Sequence, residues 1–487
     1  MSQTYPQRAA SSLSISSPLT GFGEVSVAES TPTGSTDFIY GLNLSQVFTR
    51  QYSGATVSSS NGEVVLSSGT TSGAYARCAL LPNITYHPGQ GTLFRGTARF
   101  GSPLSNTRQL FGMTSLTGGY QFGYIGTTFG ILHIDGGVVE VQTLTVTAAP
   151  AAPGNVTITL DGGTPVNVAV TASGNTSVTA YEISRGDFSQ ASGGWTAVSS
   201  NNVVYFTRRI TGAAGASTFN AGATGATATF AILVTGAPAT ETFYPQTEWN
   251  IDKALWLDPT KGNIFQVRFQ YLGYGNAFFG IEDPSSGQFV PVHTIINANA
   301  RTTTIMRNPN GFVLWEVQNN GNGTGVTMRG ASAASFLDGP ERYFGQERSA
   351  SATRSINAAT ETPVLSIRTA NVFNNLFSTK QLFPLRLSAA ADGTKNVIIN
   401  VYKAATLTAA QFVPVNTGSC ALKDGSATAV TTTGATLVYS FALSKTGQDT
   451  QDLSAFNTFL SLGEVLTITA YSVNASDVTI TLAWDED

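Results

Sequence analysis

Hydrophobic and polar positions alternate with a period of two along much of the chain, and the clearest alternation lies within 249–295. Between 264 and 271, aromatic and aliphatic side chains take every second position, as in a strand that buries one face. Further apolar runs at 277–282 and 288–296 each follow a turn rich in Gly, Pro or Ser. The pattern predicts a three-stranded β-meander, whose apolar face must be covered by a second sheet from elsewhere in the chain.

The region before this meander has a similar strand-like pattern with Gly-rich breaks. Residues 1–22 are rich in Ser, Pro and Thr and carry few large apolar groups, which predicts an N-terminal arm. From there, 23–140 favours short strands, and we predict that it forms one β-sandwich together with 245–345. The strands are predicted at 24–29, 37–40, 62–67, 74–81, 91–100, 108–113, 119–124 and 128–134.

The pattern changes at 141–244, which we interpret as a module inserted into that sandwich. A linker-like Ala/Pro run at 148–154 lies near its start, and a low-complexity Gly/Ala run at 212–228 lies near its end. Between the two runs the sequence predicts one helix capped by Asn175 or Thr176. Strands are predicted around the helix at 155–160, 166–171, 202–207 and 229–234.

The last region, 346–487, begins with a Ser/Ala run at 349–352 that is typical of a linker. Strands separated by short polar turns follow, which predicts a second, C-terminal β-sandwich. These strands are predicted at 363–368, 383–389, 396–403, 436–443, 464–473 and 477–484.

Composition narrows the function classes. Charged residues make up only 11% of the 487 residues, whereas 50 residues are Gly, a profile that suits extended structure with tight turns, as in fibres, capsids and adhesins. The net charge of −4 leaves no basic excess to neutralise phosphates, which argues against nucleic-acid binding. The sequence shows no signal-peptide core and no apolar run long enough for a membrane span. We therefore expect a soluble protein without membrane insertion, not exported by a classical route.

Residues with catalytic or metal-binding chemistry are few. Cys78 and Cys420 follow no metal or redox spacing, so we expect two small buried side chains rather than a disulfide. No two of the histidines His87, His133 and His293 share a predicted strand, and none has a nearby Ser or Cys nucleophile motif. We expect no metal and no cofactor.

A glycan-cleaving enzyme needs two carboxylates about 5 to 10 Å apart in a cleft. Glu282 and Asp283 are adjacent and would point to opposite faces of a strand, and Asp283 followed by Pro284 is typical of a turn, as is 258–263. The single basic doublet, 208–209, is interpreted as an exposed strand end. The sequence therefore predicts no catalytic activity.

Three stretches carry a resemblance to known proteins: GTTFGILHIDGGVVEVQTLTVT, NVTITLDGGTPVNVAV and WNIDKALWLDPTKGNIFQVRFQYLGYGNAFFGIEDPSSGQFVPVHTI. Over 23–340 the chain resembles virion structural proteins of tailed phages and large DNA viruses. The middle module separately resembles small β-α-β repeats of phage tail proteins, and the last strand pair, ending in Trp484, resembles the final domain of such virion proteins. The paired halves of the first sandwich resemble a lectin-type jelly roll.

The strand pattern predicts an all-β fold class with an inserted small α+β module and a C-terminal β-sandwich, and the resemblance implies that the first sandwich is a jelly-roll or lectin-like sandwich. The resemblance also implies a component of the virus particle, whether capsid-associated, fibre or tail protein. It assigns no binding or catalytic residue.

Aromatic side chains near the meander offer one candidate binding surface, because sugars present apolar faces that stack on rings. Core packing is the alternative for each ring. We select Trp256 and Tyr274, which lie beside turns, as candidates for glycan contact, with Asn263 and Asn276 as hydrogen-bond partners. The full set considered is Trp249, Trp256, Tyr271, Tyr274 and Trp315.

Two function classes follow. The first is a structural virion protein that assembles with itself, as a homo-oligomer for which we expect a trimer, and with other virion proteins. Low charge, Gly-rich strands and the resemblance favour it, and its location would be the virion. The alternative is a receptor-binding adhesin whose lectin-like sandwich recognises a host surface glycan.

Overall fold

The computed structural model describes residues 30–115, 117–339, 346–356, 360–456, 458–461 and 463–486. Over these residues the chain is mostly β-strand, so the predicted all-β class is confirmed. The predicted arm, 1–22, and the predicted strand at 24–29 lie outside the described residues. Within the described ranges, no helix has the length and apolar character needed to cross a membrane.

The first nine strands largely follow the predicted alternation. The prediction at 37–40 is wrong, because the first strand ends at Asp37 and the Gly41 N–H then donates to the Phe38 carbonyl in a turn (3.0 Å). Two Ser/Thr-containing strands, β2 and β3, were not predicted. The strands are β1 Ser30–Asp37, β2 Val47–Tyr52, β3 Thr56–Ser60, β4 Glu63–Ser67, β5 Ala74–Leu80, β6 Thr92–Ala98, β7 Thr107–Thr114, β8 Gly119–Ile125 and β9 Thr128–Asp135.

The next segment contains the single α-helix of the described residues, α1. Asn175 caps it as predicted, because its side-chain oxygen accepts from the Ser177 and Val178 N–H groups at 2.8 and 3.3 Å. The Gly/Ala run at 212–228 contains a short strand and the start of another. The elements are β10 Val139–Ala148, β11 Gly154–Thr159, β12 Val166–Val170, α1 Thr176–Ser184, β13 Trp195–Ser200, β14 Val203–Thr211, β15 Thr218–Asn220 and β16 Thr227–Val234.

The predicted meander follows and is confirmed as three consecutive antiparallel strands. Phe265, Val267 and Phe269 point into the core with at most 1% exposure. The elements are β17 Thr240–Pro245, the 3-10 turn Gln246–Glu248, β18 Asn263–Phe269, β19 Ala277–Glu282, β20 Phe289–Ile295, β21 Phe312–Asn319, β22 Thr327–Gly330 and β23 Ser332–Asp338.

Strands β1 to β9 and β17 to β23, apart from β3, β4 and β22, form two main sheets that face each other. One sheet has the order β1-β23-β6-β18-β19-β20, the other β17-β9-β8-β7-β21-β5-β2. Aromatic rings fill the space between them: Phe265 lies 4.9 Å from Phe122, and Trp315 lies 5.4 Å from Phe111, measured between centroids. A third, three-stranded sheet, β22-β4-β3, extends the sandwich.

Strands β10 to β16 form their own sheets around a separate apolar core, in the orders β13-β14-β10-β16 and β12-β11-β15. The chain enters and leaves this part side by side, because Val138 and Ala237 exchange backbone hydrogen bonds of 2.9 and 3.0 Å. Strand β17 then pairs with β9 in the sandwich. Residues 240–244, which we assigned to the inserted module, are therefore paired with the sandwich, while the division into domains stays a prediction.

The C-terminal strands form two larger sheets, in the orders β24-β37-β28-β35 and β31-β32-β25-β36-β29-β34. The linker predicted at 349–352 is wrong, because these small residues pair along β37 as part of β24. The strands are β24 Arg348–Ile356, β25 Thr362–Thr369, β26 Val372–Phe373, β27 Leu376–Phe377, β28 Leu382–Gly393, β29 Val397–Lys403, β30 Thr406–Thr408, β31 Val413–Pro414, β32 Ala421–Asp424, β33 Ala429–Thr431, β34 Thr436–Leu443, β35 Gln448–Asp452, β36 Val465–Tyr471 and β37 Ser476–Glu486, with a 3-10 turn at Ser454–Phe456 between β35 and β36.

The C-terminal part contacts the inserted part through a mixed apolar and polar interface. Arg368 donates to the backbone oxygen and, at 2.9 Å, to the side-chain oxygen of Ser199, and its guanidinium lies 3.9 Å above the Phe412 ring. Tyr181 and Val198 pack there against C-terminal apolar side chains. Burial lowers the pKa of Arg368 to about 10, so this contact contains a costly buried cation that the surrounding groups stabilise.

Candidate functional site

Charged side chains cross the outer face of the seven-stranded sheet in one row. The strand register places Arg50 on β2 opposite Arg77 on β5, and Arg77 opposite Glu316 on β21. Neighbours of these residues along the strands point to the opposite face, because side chains alternate. Cys78 and Trp315 accordingly lie in the apolar core. The charged row therefore lies on the face of the sheet that points away from the sandwich core, and the opposite face is apolar.

Glu316 is the centre of a buried hydrogen-bond network. Its Oε2 atom accepts from Tyr75 Oη at 2.8 Å and from Arg77 Nη2 at 2.6 Å, while Oε1 accepts from Gln121 Nε2 at 3.0 Å. Burial is the largest single influence on the pKa of Glu316 and raises it, but Arg77, Gln121 and Tyr75 together bring the pKa below its usual value. Glu316 is thus held as a carboxylate.

A second ion pair lies beside this network, where Arg108 contacts Glu241 through two hydrogen bonds of 2.8 and 2.7 Å. Both pairs border a cavity of about 290 Å³. A general acid needs a pKa raised toward the working pH, whereas Glu316 is stabilised in its ionised form. Glu316 is therefore arranged as an ion-pair partner of Arg77 and not as a proton donor.

The two arginines of the basic doublet on β14 have different surroundings. Arg208 donates to Asp161 Oδ2 at 2.7 Å, with 11% and 12% of the two side chains exposed, and it also donates to the Ala213 carbonyl. Arg209 lines the same cavity as Arg77. The interpretation of 208–209 as an exposed strand end is therefore wrong, because both arginines lie within β14 and are partly buried, Arg208 in an ion pair and Arg209 at a cavity wall.

Our four candidate glycan residues lie along β18 and its flanking loops. Trp256 and Tyr274 are 39% and 44% exposed. Asn263 starts β18, whereas Tyr274 and Asn276 lie beyond its other end, and a seven-residue strand spans about 20 Å. The structure therefore places Tyr274 and Asn276 in the same loop but does not bring Asn263 to them.

Both candidate amides are engaged by the backbone. Asn263 donates to the carbonyls of Asp258 and Lys261 at 2.8 Å, in the turn predicted at 258–263. Asn276 accepts from the N–H groups of Asn297 and Ala298. Each amide stabilises a loop, and glycan binding by the four residues remains a prediction. Of the other aromatic candidates, Trp249 and Trp315 are core residues, with 1% and 0% exposure.

The histidines and cysteines are held in separate environments. His133 contacts the Ile305 carbonyl at 3.0 Å, and burial lowers its pKa. Burial, with a smaller contribution from Lys253, lowers the pKa of His293 to about 4. Cys78 is free and buried as expected, and Cys420 likewise. Within the described ranges, no group of three or more His, Cys, Asp or Glu side chains is arranged to hold a metal ion.

Sequence reasoning missed the charged row. Its signal is a single charge in the middle of an otherwise apolar strand, as for Arg77 in β5 and Glu316 in β21. Such a charge requires a partner. The partner is 239 positions away, and one sequence does not indicate which strands are neighbours.

Neither a scan against protein-family models nor a search of curated proteins finds a match. Among solved structures, the chain is similar to an endo-1,3-beta-glucanase from Streptomyces sioyaensis, with 8% identity over 64% of this chain and 97% of that one and a TM-score of 0.32. It is also similar to the carbohydrate recognition domain of Emp46p, with 10% identity over 64% and 100% of the two chains and a TM-score of 0.25. Likeness at this level gives no information about activity or ligand.

Proposed function

We propose that the chain is a structural component of a virus particle that assembles with itself and with other virion proteins. The resemblance of its sequence to virion proteins supports a location in the virus particle. One structural observation supports assembly with other copies. Strand β16 is eight residues long and carries no charge. Among the described residues it is the edge strand of its sheet. Its side chains Ile232 and Leu233 are 59% and 36% exposed.

An edge of this kind favours pairing with another chain. Soluble proteins usually protect exposed edge strands with charges, prolines or bulges, because the free backbone groups otherwise recruit a further strand. Strand β16 has no charge and no proline. Its pairing with β10 shifts register at Leu233 and at Thr147, so irregular pairing is its one form of edge protection among these three. We assign it to the contact between copies, and we retain the trimer as the expected oligomer.

Light scattering of the purified chain tests assembly. The wild-type chain should run as an oligomer, whereas Ile232→Lys should shift it toward the monomer by placing a charge on the edge. Ile296→Lys, at a loop position that is 62% exposed, is the matched control and should leave the oligomer intact. Immunogold electron microscopy of purified particles tests location, and particles that lack the chain would overturn the virion assignment.

A receptor-binding adhesin is the second candidate, and the exposure of Trp256 and Tyr274 beside turns favours it. Stacking on a sugar contributes about 1 kcal/mol per ring. Glycan-array binding should therefore weaken for Trp256→Ala and Tyr274→Ala and disappear in the double variant. Phe456→Ala, at a comparably exposed ring, is the control. Binding that survives the double variant would remove this site assignment.

A further inference from the structure

A cavity of about 250 Å³ lies where the sandwich, the inserted part and the C-terminal part meet. Arg50 and Arg77 line it from β2 and β5, and Arg209 lines it from β14. The C-terminal part closes it with residues between 377 and 381 and with Ser461 and Glu464. Three guanidinium groups from two parts of the chain therefore border one small space.

Hydrogen bonds between parts hold the walls in place. Gln381 donates to the Leu81 carbonyl at 3.1 Å and to Ser461 Oγ at 2.9 Å. On the other side, Gln190 of the inserted part donates to the Gln51 carbonyl at 3.0 Å, next to Arg50. The cavity is thus a preformed feature of the packing.

The positive charges in the cavity are not balanced. Arg77 is paired with Glu316, and Glu464 is paired with Lys403 at 3.0 Å. Within the described ranges, no carboxylate forms an ion pair with Arg50 or Arg209. The Nε–H of Arg209 is buried without a hydrogen-bond partner, and the Arg50 guanidinium only lies 5.3 Å over the Phe48 ring.

Two unpaired, partly buried guanidinium groups that line one cavity carry a cost. Burial, then Arg209 and Arg77, lower the pKa of Arg50 well below its usual value, and burial likewise lowers the pKa of Arg209, although Asp187 raises it. Buried charges are normally paired, and a buried donor without an acceptor is unfavourable. A bound anion would supply both the missing charge and the missing acceptors.

We infer that the cavity between Arg50, Arg77 and Arg209 binds an oxyanion, a sulfate, phosphate or carboxylate group. Planar guanidinium forks match the oxygens of such groups and form charge-assisted hydrogen bonds with them. Thr49 and Thr379, which also line the cavity, add hydroxyl groups at its wall. The group is either a free ion or the acidic end of a larger ligand such as an acidic sugar.

Isothermal titration of the full chain with sodium sulfate and sodium phosphate, at constant ionic strength in chloride, tests the site. One ion per chain should bind, and Arg50→Gln together with Arg209→Gln should weaken binding by about tenfold or more. Arg95→Gln is the matched control, because Arg95 lies on β6 in the other sheet and bonds to Gln266. It should bind as the wild type does.

Thermal unfolding separates a ligand site from a structural contact. In chloride, the Arg50→Gln, Arg209→Gln variant should be at least as stable as the wild type, because like-charge repulsion is removed. When sulfate replaces chloride, only the wild type should gain stability, since a ligand that binds the native state raises the midpoint of thermal unfolding. A variant that unfolds earlier in chloride, or that still gains stability in sulfate, would overturn the inference.

Two further titrants identify the source of the group. Glucose 6-sulfate that binds where glucose does not indicates an acidic group carried on a sugar, and binding of inorganic sulfate alone indicates a free ion. Either result supports the oxyanion site. If the wild-type chain binds neither glucose 6-sulfate nor inorganic sulfate, the cavity is not an anion site.

Discussion

Arg77 and Glu316 lie directly opposite each other on β5 and β21, and the Nη2 and Oε2 atoms are 2.6 Å apart with 9% and 11% of the side chains exposed. The two charges are buried on the same face as Tyr75 and Gln121, which bond to the same carboxylate. The pair is therefore more than a surface ion pair, because each partner neutralises a charge that is largely shielded from water.

Removing Glu316 should leave the Arg77 charge uncompensated. We expect Glu316→Gln to lower the free energy of unfolding in urea by about 3 kcal/mol. The control is Glu241→Gln at the more exposed pair with Arg108, for which we expect a loss below about 1 kcal/mol. Equal losses for the two variants would show that burial does not determine how much each ion pair contributes to stability.

A second prediction concerns the path of the chain between the sandwich and the inserted part. Val138 and Ala237 are hydrogen-bonded neighbours, so a short Gly/Ser turn should replace 139–236 without strain. We expect the shortened protein to remain folded and β-rich by circular dichroism. Its thermal midpoint should fall, because apolar side chains such as Phe412 lose their cover.

The control for this deletion removes 141–244 instead. That cut also takes residues 240–244 of β17, which pair with β9 at the sheet edge, so the resulting protein should unfold earlier than the first. If the 139–236 deletion is itself unfolded, the sandwich does not fold independently of the inserted part.

Local sequence patterns predicted the positions of most strands but not which strands pair with each other in the sheets. The alternation at 264–271 correctly identified β18 because one face is aromatic and buried, and the Asn175 side chain correctly marked the start of α1. The Ser/Ala residues at 349–352 carry no such signal, and they form a strand only because β37 lies beside them. The site between β2, β5 and β14 depends on the same long-range pairing, which one sequence does not reveal.

Protonation of His293 should lower the free energy of unfolding as the pH falls. Its Nδ1 atom accepts from the Asn250 N–H at 3.2 Å, which requires the neutral ring, and burial lowers its pKa to about 4 from an ordinary value of 6.5. The unfolded chain therefore binds a proton that the folded chain does not between these values. Stability contributed by the neutral ring is present above pH 6.5 and is lost as the pH falls toward 4.

Urea unfolding at intervals from pH 7 to pH 4 measures this dependence. The slope of unfolding free energy against pH should be smaller for His293→Gln than for the wild type. His133→Gln should also reduce the slope, because burial lowers the pKa of His133 as well. Identical slopes for His293→Gln and the wild type would exclude the proposed linkage.

The last prediction concerns a close approach between β22 and the core. A Cβ atom on Gly330 would lie 2.2 Å from Trp315 Nε1, whose N–H donates to the Thr97 carbonyl at 2.8 Å. Because Trp315 is fully buried, it has little room to move, and Gly330→Ala should lower the free energy of unfolding by about 2 kcal/mol. Gly262→Ala meets no atom within 4 Å and should change it by less than about 0.5 kcal/mol. Tryptophan fluorescence during urea unfolding compares the two variants, and coincident midpoints would show that the sandwich adjusts to the added methyl group without cost.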